Sequence, residues 1–432
     1  MAGANEAGTL EVCATKVGQE TALGQIRRMV EEAQQKKAPI ERVLNRYAKF
    51  YTPAALAMGA LLWWWSGDVQ RAITMLIVFC PCVMVLATPT ALVASIGNAA
   101  LRGSLVKKGA TIEALANVDT IIFDKTGTLT FGQPKLVETV ALNGLPEVDL
   151  LRLAAAAEKF SEHPVGRAVV LSAESRGLIV SDPIEFEALP RMGVRAVIEE
   201  CSLLIGRQHL LAERGVSLPD EVQIKANELA APGRTVVLLA NGKEPPGMFA
   251  VEDVVRPDAR EAVIRLNALG ICTVLVTGDN RATAEQVAAE LNISEVHAET
   301  LPHEKVEIVK RFQAEGHKVA FVGDGVNDGP TLATADVGVA MGIAGTDVAI
   351  ETAEIALLAD DLSKLPHLVE LSQRAIRAIK QNLVFSLSVL VAAVALTIPG
   401  ILSPVTGALL HELSSIPVIA NSARLIGLRE RA

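Results

Sequence analysis

Thr120-Ile121-Ile122-Phe123-Asp124-Lys125-Thr126-Gly127-Thr128 runs from an apolar segment into a carboxylate and then a glycine turn. The apolar part has the composition of a parallel strand buried on both faces. An aspartate at the end of such a strand sits where open α/β sheets place their chemistry. A carboxylate there can attack a γ-phosphoryl group and carry it as an acyl phosphate. In isolation the same residues could form a surface turn with a solvated Asp, so the rest of the chain has to decide.

Three later segments decide it together. Val276-Thr277-Gly278-Asp279 follows a second apolar strand, Ile271 to Val276, and offers a hydroxyl and an amide to phosphoryl oxygens. Pro302-His303-Glu304-Lys305 supplies a lysine whose point charge suits the same oxygens. A third strand, Val319 to Val322, leads into Gly323-Asp324-Gly325-Val326-Asn327-Asp328. Paired carboxylates of that kind are hard ligands for Mg²⁺, which bridges to phosphate and neutralises its charge.

With these motifs in this order the chain resembles the P-type ATPases, cation pumps built on a haloacid-dehalogenase-like phosphorylation domain. The resemblance implies that Asp124 is phosphorylated and that Lys305, Thr277 and Gly278 contact the phosphoryl group. Lys125, Thr126 and Asp279 are carried over as members of the same site. It further implies Mg²⁺ held by Asp124, Thr126, Asp324 and Asp328, with Asn327 in support. Asp253-Val254-Val255-Arg256-Pro257 matches the family's hinge sequence.

Composition is consistent with a membrane protein. Of 432 residues 50% are hydrophobic, and the mean hydropathy is +0.35. A net charge of −9 argues against a nucleic-acid partner. Five cysteines, two of them inside an apolar run, do not suggest a disulfide scaffold. Residues 1–40 are polar and charged, unlike a cleavable signal peptide. Four stretches approach the roughly 20 apolar residues a bilayer requires: Ala48–Trp65, Ala72–Asn98, Leu383–Leu402 and Val405–Ala423. Tyr47 and Trp63-Trp64-Trp65 bracket the first like an interfacial belt. Arg102, Lys107, Lys108, Arg374, Arg377, Lys380, Arg424 and Arg429 lie on the side opposite the short connectors, which places both termini and the large loop in the cytoplasm. The resemblance assigns the chain to a prokaryotic plasma membrane.

The expected architecture is therefore α/β plus transmembrane α-helices. Its parts are an actuator-like tail (1–46), two spans (47–102), a Rossmann-like phosphorylation domain in two pieces (103–138 and 250–380), an inserted α+β nucleotide-binding domain (139–249), and two further spans (381–432). The insert opens on an Ala-rich helical run, Leu150–Ser175, and continues with strand-like stretches near Val194–Glu199, Leu203–Ile205 and Thr235–Leu239.

Within that insert Ser161-Glu162-His163-Pro164 matches the adenine-side motif of the heavy-metal (type IB) branch. A His-Pro pair is otherwise a common helix start. The resemblance places His163 and Pro164 against adenine, with Glu158 as companion and Gly193 and Arg207 nearby. The chain departs from the branch at Arg191, where a glycine is expected, and at Arg207, where Asn is common. Arg207 could instead supply charge to the phosphates of ATP.

Cys80-Pro81-Cys82 lies in the middle of the second span. Pro81 lacks a backbone donor and crowds the carbonyl of Ile77, so the helix opens there. Two thiolates beside such an opening make a soft-donor site for a transition metal. The last span adds His411, Glu412, Ser414, Ser415 and Asn421, and ionisable groups at membrane depth are functional candidates. Glu412 and His411 could alternatively sit at the interface as helix-end groups. Cys80, Cys82, His411, Glu412 and Ser415 form the expected site for the transported ion. Thiolates alone would suit Cu(I), Zn²⁺ or Cd²⁺, whereas imidazole plus carboxylate favours a harder divalent ion. The reading adopted is a divalent transition metal (Zn, Cd, Mn or Co), with export as the family's usual direction and Cu(I) as the alternative.

Family members also carry an actuator domain whose Thr-Gly-Glu loop positions water on the aspartyl phosphate; the sequence contains no Thr-Gly-Glu. The expectation is a carboxy-terminal portion of a pump, working with a separately encoded amino-terminal half or surviving as a non-pumping remnant that binds ATP and metal.

Overall fold

A computed structural model describes residues 39–80, 82–142, 144–161, 163–189, 193–198, 201–216, 218–230, 234–242, 244–324, 328–342 and 353–429, with backbone only at 39–51 and at residue 82. The actuator-like tail up to residue 38 lies outside these residues, as do Pro81, Glu162, Arg191, Asn327 and the side chain of Cys82. The described residues form two compact units, one from within 118–353 together with 357–366, the other from 39–117 together with 354–356 and 367–429.

In the first unit five parallel strands lie in the spatial order Val337–Met341, Val319–Gly323, Thr120–Asp124, Cys272–Val276, Glu295–His297. The three strands expected from sequence are thus immediate neighbours, with Asp124 paired in register with Val276. Ile121, Ile122, Phe123, Val274, Phe321 and Val322 are fully buried. That burial explains why these strands read as unbroken apolar runs rather than alternating ones.

The insert is a six-stranded antiparallel sheet in the order Lys135–Ala141, Glu244–Glu252, Thr235–Asn241, Cys201–Gly206, Gly193–Ile198, Glu185–Leu189. It extends a few residues beyond 139–249 at each end. Leu150, Leu151 and the alanines 154–157 of helix Glu147–Glu158 form a core with Val194, Ile205, Leu239 and Phe249. The small side chains allow close approach, since a Cβ on Gly247 would stand 2.2 Å from Leu150. The Ala-rich run expected as one helix is two, Glu147–Glu158 and Pro164–Ser175. Pro164 has no N–H to continue the first, so it opens the second at its first turn.

In the other unit, helices span Pro39–Ser66, Val69–Val78, Cys82–Leu101, Lys364–Thr397, Pro404–Leu413 and Ser415–Ala423. Among the described residues two stretches, Val69–Leu101 and Lys364–Thr397, are long and apolar enough to cross a membrane. The expected first span lies inside Pro39–Ser66, and the expected fourth is divided at Ser414. Small residues bring helices together: a Cβ on Gly407 would lie 3.1 Å from Thr74 and Val78. Polar side chains tie the rest. Asn382 Nδ2 donates to Ser422 Oγ at 3.0 Å, and Asn98 Nδ2 donates to the carbonyls of Ile426 and Leu428 at 2.8 and 2.9 Å.

Candidate functional site

Asp124 ends its strand in a buried position, so its carboxylate cannot rely on water. Lys305, on helix Pro302–Ala314, donates from Nζ to Asp124 Oδ1 and to Asp328 Oδ1, both at 2.8 Å. One ammonium therefore bridges two carboxylates that are distant in sequence. Burial first, and then the Asp328 charge, raise Asp124 to about 7 against the pull of Lys305. Burial alone would lower Lys305, but the two carboxylates outweigh it and raise its pKa.

The loop after Asp124 is shaped for close approach. Gly127 has φ +74°, and a Cβ there would sit 3.1 Å from Asp324 Oδ2. Gly323 likewise leaves room for Asp328, whose Oδ2 would lie 2.7 Å from an added Cβ. Lys125 pairs with Asp279. Thr277 Oγ1 accepts from the Asp279 amide at 3.1 Å. Thr126 and Gly278 are exposed at the mouth of the cleft. Thr130 Oγ1 donates to Asp253 Oδ2 at 2.5 Å, joining the loop to the hinge sequence.

Asp328 is 1% exposed, and its Oδ2 has no protein partner among the described residues. An orphaned carboxylate oxygen beside Asp124 fits a hard cation such as Mg²⁺. Among the described residues no three His, Cys, Asp or Glu side chains converge as a complete metal cluster. Phosphate oxygens and water would have to complete the shell, as is usual for this ion.

Two cavities adjoin. One, of about 820 Å³, is lined by Lys125, Thr126, Gly278, Asp279, Arg207 and Arg234. The other, of about 460 Å³, is lined by Glu158, His163, Phe186, Gly193, Ile205 and Arg207. Arg207 and Val165 border both, so a ligand can run from the insert to the Asp124 loop. Gly193 admits no side chain, since a Cβ would stand 1.9 Å from Ile205 O. Glu158 is 5% exposed with Oε2 unpartnered among the described residues, and burial raises it to about 7 despite a bond from Ser161. His163 caps helix Pro164–Ser175, its Nδ1 accepting from the Val165 amide at 3.2 Å. The ordinary helix-start role and the pocket position thus coincide in one residue, with Pro164 exposed beside it.

In the helical unit a small cavity of about 20 Å³ is lined by Cys80, Met84, Ser386, His411 and Ser414, among others. His411 Nε2 is buried there without a partner among the described residues. Cys80 is disulfide-bonded, so it becomes a thiolate ligand only on reduction. Glu412 is exposed and does not line this cavity, and Ser415 Oγ donates to the Glu412 carbonyl at 2.7 Å. The break at Ser414 puts Ser415 on a different helical segment from His411.

A family profile described as haloacid dehalogenase-like hydrolase matches residues 118–336. The zinc-exporting P-type ATPase of Mycobacterium marinum is 42% identical over 96% of this chain, and the manganese-exporting P-type ATPase of Mycobacterium bovis is equally so. The crystal structure of a zinc-transporting PIB-type ATPase in the E2.Pi state superposes with a TM-score of 0.80 at 35% identity, over 94% of this chain and 67% of that one. The chain belongs to the heavy-metal P-type ATPases. It spans 57% and 58% of the length of the two curated relatives.

For a heavy-metal P-type ATPase, several contributing residues escaped the sequence reading. Phe160 and Phe186 meet edge-to-face at 6.1 Å and line the 460 Å³ cavity, yet Phe186 sits on an edge strand with no motif around it. Arg234 lines the 820 Å³ cavity and is held by ion pairs with Glu138 and Glu252 that only the sheet register creates. Met84 does carry a signal: it lies two residues after Cys82, in the first turn of helix Cys82–Leu101.

Proposed function

We propose that this chain carries the phosphoryl-transfer core and part of the ion path of an ATP-driven transition-metal pump. The single observation that carries the reading is Lys305 Nζ held 2.8 Å from both Asp124 and Asp328. In the proposed reaction an Asp124 oxygen attacks the γ-phosphorus of ATP. The Oδ–P bond forms, the bond from phosphorus to the β–γ bridging oxygen breaks, and ADP leaves with that electron pair. Asp124 must be ionised to attack, and Lys305 beside it favours that form. Thr277 and the Gly278 amide would receive the phosphoryl oxygens. Asp324, Asp328 and Thr126 would hold Mg²⁺ with Asp124; the ion supplies charge neutralisation on the phosphates. Glu158, His163, Pro164 and Gly193 would receive adenine, with the phosphates passing Arg207.

The proposed cargo is a divalent transition metal bound by Cys80, Cys82 and His411, with Glu412 and Ser415 on its approach. Relatives named for zinc and for manganese are equally similar, and a soft thiolate pair keeps Cu(I) as the alternative. Export across a plasma membrane, with the nucleotide-binding unit in the cytoplasm, completes the proposal, and a separately encoded partner half is compatible with it. Membranes containing the chain would be incubated under reducing conditions with γ-labelled ATP and Mg²⁺ across a metal panel. Acid-stable label that depends on one metal class and on His411 is the predicted result. Label indifferent to every metal would sink the transport assignment.

A further inference from the structure

Arg256 is buried, and its guanidinium holds carbonyls from two separate segments. Nε donates to Thr130 O at 3.0 Å and Nη2 to Gly127 O at 3.4 Å, both in the loop that follows Asp124. Nη1 donates to Asp360 O at 3.0 Å, 104 residues further along the chain. The Phe131 ring lies 4.9 Å from Cζ, and among the described residues no carboxylate pairs with this cation. A buried guanidinium satisfied by carbonyls retains its full charge and responds to any charge placed near it.

The second segment is strained. Ala359 and Asp360 have φ +68° and +51°, a region that non-glycine residues rarely occupy and that persists only when the surroundings hold it. Several contacts hold it at its two ends: the Gly342 amide donates to Leu357 O at 3.2 Å, and Asp361 Oδ1 accepts from the Ser363 amide at 3.0 Å. Besides Arg256, Asp258 Oδ2 accepts from the Leu362 amide at 2.7 Å. The turn leads directly into helix Lys364–Thr397, one of the two stretches long and apolar enough to cross a membrane.

We propose that Arg256 is a positioning residue that couples the charge on the Asp124 loop to the strained turn Leu358–Asp360. The inference rests on the phosphorylation reading above. Phosphorylating Asp124 adds negative charge to the loop, which draws the guanidinium toward Gly127 and Thr130 and away from Asp360. The turn then loses a restraint and relaxes, changing how the chain enters the following helix.

The test is hydrogen–deuterium exchange on the full chain in detergent with Mg²⁺, with and without beryllium fluoride as the phosphoryl mimic. In the wild type, residues 125–131 become protected while 358–363 exchange about tenfold faster. Arg256→Gln exchanges fast at 358–363 with or without the mimic. Arg256→Lys keeps the charge but cannot span three carbonyls, and it also loses the response. Slow exchange of Cys272–Val276 and Val319–Gly323 in each variant verifies folding; if Arg256→Gln unfolds, Arg256→Lys decides. A protected loop with an unchanged turn in the wild type overturns the coupling alone, as does a normal response in Arg256→Lys. A loop that gains no protection, matching Asp124→Asn, removes the phosphorylation reading and the coupling with it.

Discussion

The phosphoryl site and the cavity between the helices solve the problem of buried charge in opposite ways. Asp124, Lys305 and Asp328 are all buried, and the lysine sits 2.8 Å from both carboxylates, so it offsets part of the cost of removing them from water, while the raised Asp124 pKa of about 7 records what is left. The helical cavity offers the unpartnered imidazole nitrogen of His411 beside the polarizable sulfur of Met84 and the hydroxyls of Ser386 and Ser414. The first arrangement is preorganised before ATP arrives. In the second the His411 nitrogen has no partner among the described residues, as the proposed release of a cargo ion would require.

The contrast can be broken at several points. Asp124→Asn removes the nucleophile, and acid-stable labelling falls to background whatever the metal; residual label would place the phosphate elsewhere. Lys305→Met leaves two buried carboxylates facing each other, and in EDTA the chain loses about 3 kcal/mol of stability in a denaturant titration. A titration indistinguishable from the wild type would show that the carboxylates are solvated.

Glu158 gives a pH test. Its value in the folded chain is raised to about 7 from the ordinary 4.5, so the native state holds the proton more tightly than the unfolded one. Its favourable contribution is complete below 4.5 and is lost as pH rises through about 7. Glu158→Gln keeps the neutral form, so the variant gains over the wild type across that window, reaching about 3 kcal/mol at pH 8. Parallel melting curves at pH 5 and pH 8 would contradict this. His411→Ala has the smallest expected effect. It weakens binding of the preferred metal about tenfold, on the scale known for metal-site side chains, and leaves nucleotide affinity unchanged. Equal metal affinity in the variant would remove His411 from the ion path.

How much was legible beforehand also differs between the two regions. The strands before Asp124, Asp279 and Asp324 announced themselves because burial on both faces demands unbroken apolar runs. The motifs at their ends are local, so sequence order preserves them. Lys305 stood out for the same reason, within the local run Pro302-His303-Glu304-Lys305. The contact of Lys305 with Asp328, the Arg256 clamp and the Phe186 wall of the cavity beside Glu158 arise from sheet order and from packing between distant segments, which no local pattern encodes. In the helical unit the hydropathy marked apolar stretches well but not their breaks. Ser414 divides the last one, and Glu412, next to His411 on the segment before that break, lies outside the cavity that His411 lines, an outcome set by helix packing rather than by the spacing of polar residues.

The account's central claim is that Asp124 itself takes the phosphoryl group. Borohydride reduces an aspartyl phosphate to homoserine, which a mass spectrum of the digested chain can locate. After incubation with Mg²⁺ and ATP and then reduction, the prediction is homoserine at position 124 and at no other aspartate. Homoserine at another position, or none at 124 under conditions that give acid-stable label, would contradict it.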